Sequence, residues 1–381
     1  IILITYTTHL KYILHELEIR NIQRIQSETV LVLQGGGSLG AYECGVYKTL
    51  SKHDIKFDIV AGTSIGAVNA AIIVGSKNNN PEKDLEDFWI DISEKITPSF
   101  LPDNTRSITS SFYSALYGNS KVFLPIWFIP NLNSLFSYKQ PYLYDTAPLQ
   151  NTLNKYIDYK KLSKSNIPRL IVTATDLQTS EPVIFDSMSM NVDSDHLLGC
   201  ASFPFYGISW VEKEGKHLWD GSLLSNTPLR EVIDVSPRRD KKVYIVNLFP
   251  RIQNELPENM FDAWHRARDI VHTDKTDHNV RMSEVISRYL SLLKEMHDIV
   301  SNVQLNEEKR ERFFQIEREY HRLAEDRGAI IQEITKIERS EDIHFIFEDA
   351  DFSTNTIKKL IRQGEEDAET AIAKRQKVEE V

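Results

Sequence analysis

Ser64 stands in Gly62-Thr63-Ser64-Ile65-Gly66, a G-x-S-x-G pentapeptide. A serine hydroxyl is a poor nucleophile until a neighbouring base takes its proton. The pentapeptide suits that chemistry when the serine sits on a sharp turn between a strand and a helix, with its oxygen exposed. Both neighbours are present. Residues 57–61 (FDIVA) read as a short buried strand, and 65–74 as a helix of small residues. Gly62 and Gly66 remove side chains that would crowd such a turn, and Ala67 and Ala70 keep the helix close. A serine that merely caps the helix is the competing explanation.

A second cluster, Gln34-Gly35-Gly36-Gly37-Ser38-Leu39-Gly40, also lies between a strand (residues 29–33, TVLVL) and a helix-like run (41–52). Backbone N–H groups in such a loop can turn toward an oxygen, and the following helix N-terminus adds positive potential. That describes an oxyanion hole. Gly35, Gly37 and Gly40 also satisfy the dinucleotide fingerprint G-x-G-x-x-G. The acidic residue that this fingerprint wants at the end of the second strand is missing. A tight turn without a ligand is the third reading. No Gly-Lys-Ser/Thr follows, so a P-loop is excluded.

An ordinary triad needs a histidine. His196, His217, His265 and His272 are available, but none sits in a clear strand-end loop, and the last two fall in a charged helical stretch. Asp220, in His217-Leu218-Trp219-Asp220-Gly221-Ser222, follows an apolar run and meets a glycine. A carboxylate at such a strand end can serve as the base directly. Burial would raise its pKa toward a useful range. An Asp–Gly turn residue fits the same residues.

The elements that must position these groups alternate strand, turn and helix, which predicts a parallel or mostly parallel sheet covered by helices. Later strands read at 169–174, 182–185 and 242–248. A polar, partly amphipathic lead-in occupies 1–28. Residues 97–148 are rich in aromatics and predict an acyl pocket or lid, ordinary core packing being the alternative. Past a boundary near Pro250–Pro257 the chain turns helical and charged over 261–324. A short strand follows at 329–337, then a last helix capped by Ser353 and interrupted at Gly364.

The 381 residues are 41% hydrophobic and 26% charged, a globular composition. A net charge of −10 argues against nucleic acid as a partner. Two cysteines, Cys44 and Cys200, make neither a disulfide framework nor a zinc site, which predicts a reducing, cytoplasmic setting. No run of 18 apolar residues occurs, so membrane contact is expected to be peripheral.

Taken together, Gly35–Gly40, Gly62–Gly66 and Asp220-Gly221 resemble the motifs of the patatin-like phospholipase family. The flanking Ala41-Tyr42, Gly45-Val46-Tyr47, Val60-Ala61 and Cys200-Ala201-Ser202-Phe203-Pro204 are similar too. The likeness spans about residues 29–250. From Trp264 to Val271 the chain is similar to the C-terminal extension of a bacterial and archaeal subgroup. Leu39 stands where many plant and animal members carry Arg or Lys, and Ser222 replaces a commoner glycine or alanine. The nucleotide reading accounts for only one of the three motifs.

The resemblance implies a three-layer α/β/α domain of the FabD/lysophospholipase type over 29–250, with a mostly helical extension over 251–381. It implies a serine lipid acyl hydrolase with Ser64 as nucleophile and Asp220 as proton acceptor, without histidine, metal or cofactor. Gly35, Gly36, Gly37 and Ser38 would form the oxyanion hole. The expected partner is a lipid or acyl-ester substrate, with homo-oligomer contacts through the extension. An acyltransferase or thioesterase using the same dyad is the enzymatic alternative, and a silent lipid-binding protein the non-enzymatic one.

Overall fold

A computed structural model describes residues 27–126, 142–163, 168–235, 239–254, 256–301, 306–326, 331–340 and 347–379. The lead-in over 1–28 lies outside the described residues except for its last two. The centre of the aromatic insert, 127–141, lies outside them as well.

The chain runs β1 (Glu28–Leu33), α1 (Ala41–Lys52), β2 (Ile59–Thr63), α2 (Ile65–Val74), α3 (Pro81–Ile92) and α4 (Asp103–Tyr117). Two short strands, β3 (Leu124–Pro125) and β4 (Tyr144–Asp145), precede α5 (Ala147–Tyr156). Then come β5 (Arg169–Asp176), β6 (Pro182–Asp186), α6 (Ser194–Cys200), β7 (Val211–Lys213), β8 (Lys216–Asp220), α7 (Leu229–Asp234) and β9 (Lys241–Asn247). The last elements are α8 (Met260–Ser301), α9 (Glu307–Asp326), β10 (Ile331–Glu338) and α10 (Thr354–Glu379).

The apolar strands are buried on both faces. Val30 and Val32 of β1 point to one side, where they meet Ile59, Ile171, Val243 and Ile245 under α7 and Val280 of α8. Leu31 and Leu33 point to the other, with Val60, Leu170, Val172 and Tyr244 under α1, α2 and α3. Each such fully buried leucine or isoleucine contributes about 1.5–3 kcal/mol. This is the expected helix–sheet–helix layering.

The sheet is mostly parallel, as expected, but mixed. β10, β9, β1, β2 and β5 run parallel in that order. β6 and β8 run antiparallel to β5. The reversals come from short connections that the strand–helix alternation did not reveal. One is the two-residue turn Glu214-Gly215 between β7 and β8, both residues at positive φ.

Register places the site. Ile171, Val172 and Thr173 pair with β2 and β6 at once, so those strands flank β5 on opposite edges. Ala174 and Thr175 pair with β6 and β8 at once, so β8 takes the edge that β2 has left. Because β8 is antiparallel, its C-terminal end meets that of β2. Thr63 pairs with Thr173, and Asp220 with the next residue, Ala174.

The segment after residue 250 does not stand apart from the domain, although a boundary near Pro250–Pro257 is readable in the sequence. β10 adds to the sheet beside β9 in parallel, and α10 packs along α1. Gly364 does not interrupt α10, which is continuous through it. Its role is contact: a Cβ there would lie 2.1 Å from Tyr42 O, and one on Gly45 would lie 1.8 Å from Ile361 O. The two glycines bring the helices to backbone contact.

Candidate active site

Ser64 is the residue between β2 and α2, with φ 56° and ψ −126°. A non-glycine residue in such a region stores roughly 1–3 kcal/mol of strain, which surrounding contacts must hold. The Ser64 carbonyl accepts the N–H of Ala67 (3.0 Å) and Val68 (3.3 Å). Thr63 Oγ1 bonds Thr173 Oγ1 (2.7 Å) and donates to Ser225 O (3.1 Å). Gly62 and Gly66 face each other inside the turn, where a Cβ on Gly62 would lie 2.1 Å from Gly66 O. The helix-cap reading has no support, since the Ser64 side chain makes no capping hydrogen bond.

Asp220 is fully buried. Its N–H donates to Ser202 O (3.0 Å), and its carbonyl accepts from Thr175 Oγ1 (3.0 Å). Ser202 belongs to the Cys200–Pro204 segment, which thereby anchors the strand end. Asp220 Oδ1 accepts the Ser222 N–H at 2.8 Å. Burial pushes the Asp220 carboxyl up to about 6, against the stabilising hydroxyl of Ser64 and the N–H of Ser222. Oδ2 is buried and accepts no hydrogen bond of full geometry.

The glycine loop leads from β1 past Ser64. Gln34 fixes its base: Oε1 accepts the N–H of Leu248 (2.6 Å), and Nε2 donates to Thr227 Oγ1 (3.0 Å). Gly35 lies against the serine, where a Cβ would come within 2.8 Å of Ser64 Cβ. Its N–H donates to Asn226 O (3.1 Å), and Asn226 Nδ2 donates to Gly35 O (3.0 Å). The Gly35 N–H is thus occupied, and this corrects its place among the oxyanion donors. Gly35 supplies closeness instead. The N–H groups of Gly36, Gly37 and Ser38 donate to no acceptor among the described residues. Gly40 packs on Ile65, and Gly221 on Thr173.

A cavity of about 400 Å³ opens from Ser64. Its wall is mainly apolar and takes Phe112, Val122, Phe123, Leu143 and Tyr144 from the aromatic insert, with Phe203 and Phe352. Phe100 points to solvent instead, 84% exposed. Trp127, Phe128, Phe136 and Tyr138 lie outside the described residues.

His196 is buried beside Asp193, and His265 is buried within 3.6 Å of Asp269 and Glu348. His272 lines the cavity, stacked on Phe249 with ring centroids 4.9 Å apart. Asn226, His272, Tyr206 and Asp349 reach the cavity through long-range packing and carried no readable motif.

The model of the patatin-like phospholipase family matches residues 31–233, more than half of the chain. The chain belongs to that family. It is 49% identical over 45 residues to the triacylglycerol lipase SDP1L of Arabidopsis thaliana, covering 12% of this chain and 6% of that protein. It is 38% identical over 84 residues to the neuropathy target esterase sws of Drosophila persimilis, covering 22% of this chain and 6% of that protein. The chain thus spans a small part of these relatives. Among solved structures, VipD from Legionella pneumophila aligns at a TM-score of 0.36 and 12% identity, covering 92% of this chain and 67% of that one. The effector ExoU aligns at 0.34 and 11%, covering 92% and 53%.

Proposed function

We propose that this protein is a serine lipid acyl hydrolase, a carboxylic ester hydrolase that cleaves fatty-acyl esters through Ser64 and Asp220. The observation that carries this reading is the meeting of two strand ends. It sets a buried carboxyl of raised pKa against a strained serine at the mouth of an apolar cavity.

Asp220 takes the proton of Ser64 as its Oγ attacks the ester carbonyl. The tetrahedral oxyanion is met by N–H groups of Gly36, Gly37 and Ser38, each such donor being worth roughly 3–4 kcal/mol in related chemistry. Asp220 returns the proton to the departing alcohol, leaving an acyl-enzyme. Water then attacks the acyl carbonyl, giving its proton to Asp220, which passes it to Ser64 Oγ as the acyl–oxygen bond breaks and the fatty acid leaves. The insert side chains would hold the acyl chain, so the substrate is presented from a lipid surface that the protein meets peripherally. Among the described residues no helix is long and apolar enough to cross a membrane.

Labelling with a fluorophosphonate probe tests the assignment. Wild type should label and hydrolyse p-nitrophenyl esters, and Ser64→Ala and Asp220→Asn should do neither while staying folded. Equal labelling of Ser64→Ala would remove Ser64 from the reaction, and full turnover by Asp220→Asn would return the base to His272.

A further inference from the structure

The oxyanion loop rests on a turn from the far end of the chain. Gly37, at φ +56°, presses on that turn, where a Cβ would lie 2.3 Å from Asp349 O. Ser38 Oγ, fully buried, donates to Glu348 O at 3.1 Å. The turn is the 3-10 segment Glu348–Ala350 between β10 and α10.

Two guanidinium groups hold this turn through its side chains. Arg268, on α8, donates from Nη2 to Glu348 Oε1 (3.0 Å) and Asp269 Oδ1 (2.9 Å), and from Nη1 to Asp349 Oδ1 (3.3 Å). It also lies 5.0 Å from the Phe249 ring centroid. Arg339 donates to Glu348 Oε1 (3.0 Å) and to Leu248 O (2.7 Å). Tyr206 OH donates to Asp349 Oδ2 at 2.7 Å. All three carboxylates are buried, so each depends on its partners.

We propose that Arg268 is a positioning residue for the oxyanion loop, acting through the turn Glu348–Ala350 on Gly37 and Ser38. The inference rests on the serine hydrolase reading. The chain of contacts is guanidinium to carboxylates, carboxylate-bearing turn to loop, and loop N–H groups to the oxyanion. If Arg268 is lost, the buried carboxylates of Asp269, Glu348 and Asp349 lose their shared cation, with Glu348 keeping a second one in Arg339, and the turn shifts. A displacement of about 1 Å at catalytic donors lowers rate on the order of 10²-fold. The turn also lines the cavity through Asp349 and Ala350, but that wall is one part of a large apolar lining, so the loss falls chiefly on kcat rather than KM.

The test compares Arg268→Met, Arg268→Lys, Ser38→Ala and the double variant Arg268→Met/Ser38→Ala on p-nitrophenyl butyrate. Arg268→Met is expected to lower kcat about 30- to 100-fold with KM within threefold. Arg268→Lys should recover part of the loss, since it keeps the charge without the fork. Because both residues act through one loop, the double variant should lose clearly less than the product of the single losses. Unchanged kcat, a loss confined to KM, or multiplicative losses would overturn the proposal. Should Arg268→Met fail to fold, Arg268→Lys, which keeps the charge without the fork, decides on the same kcat readout, and Ser38→Ala tests the contact between loop and turn. A fall in kcat at constant KM supports the contact, and wild-type kinetics refute it. Fluorophosphonate labelling of wild type separates this outcome from failure of the hydrolase reading, since an unlabelled wild type would sink the latter first.

Discussion

At the residue scale, the proposal that Asp220 is the base makes its environment the determinant of the working pH. Its carboxyl is raised because the ionised form is buried, and the Ser64 hydroxyl and the N–H and hydroxyl of Ser222 offset this in part. A base must be deprotonated to act. Activity should therefore be present above about pH 6 and be lost as pH falls through that value, where Asp220 binds a proton. The kcat/KM profile of the free enzyme should drop about tenfold per pH unit on the acid side. A profile flat down to pH 4 would show a base with an ordinary carboxylate pKa. These residues were readable because their signals are local: a glycine on each side of Ser64, a glycine run, and an Asp–Gly strand end. Arg268, Asp349 and His272 were not, since each reaches the site across 80 residues or more of sequence and carries no spacing rule of its own.

At the element scale, the strand–turn–helix units of β1, β2 and their helices lay close to their expected bounds, because apolar strands and small-residue helices announce themselves in a few residues. The antiparallel entry of β8 and the return of β10 to the sheet are tertiary choices, and periodicity is silent about them. The joint between α1 and α10 shows how such a choice is enforced. Two effects oppose each other at Gly364. Alanine has the better helix propensity, by about 1 kcal/mol. Its Cβ would, however, meet Tyr42 O at 2.1 Å, a backbone atom that cannot swing away. Overpacking of this kind destabilises by roughly 1–3 kcal/mol. Packing should win, so Gly364→Ala is expected to lower the urea midpoint while Ser64 still labels at room temperature. An unchanged or raised midpoint would show that the helices are free to separate.

At the scale of the whole molecule, the family match ends at residue 233, before β9, yet β9 is a central strand with β1 on one side and β10 on the other. The sheet gains its edge strand beside β9 only when the C-terminal segment returns. Between its departure and its return lies a helical arm. Val280 of α8 and Ile331 of β10 belong to one buried cluster, and α8 packs against β10, so the arm leaves and re-enters at neighbouring places. Its outer part carries Met282, Val285, Tyr289, Leu292, Met296 and Ile299 at alternating spacings of three and four, each at least 45% exposed. That is the seam one helix offers another. Arg281 and Glu295 flank it, so two copies running antiparallel bring the arginine of one to the glutamate of the other. An anionic membrane suits the seam less, given a net charge of −10. Replacing residues 283–328 by a short Gly/Ser linker should therefore separate two properties. The shortened chain is expected to keep fluorophosphonate labelling at Ser64, because β10, the turn at 348–350 and α10 remain. The proposed pairing predicts that light scattering finds the full chain dimeric and the shortened chain monomeric at the same concentration. Loss of labelling would make the arm part of the catalytic fold, and a full chain monomeric throughout would leave the seam without a second copy as its partner.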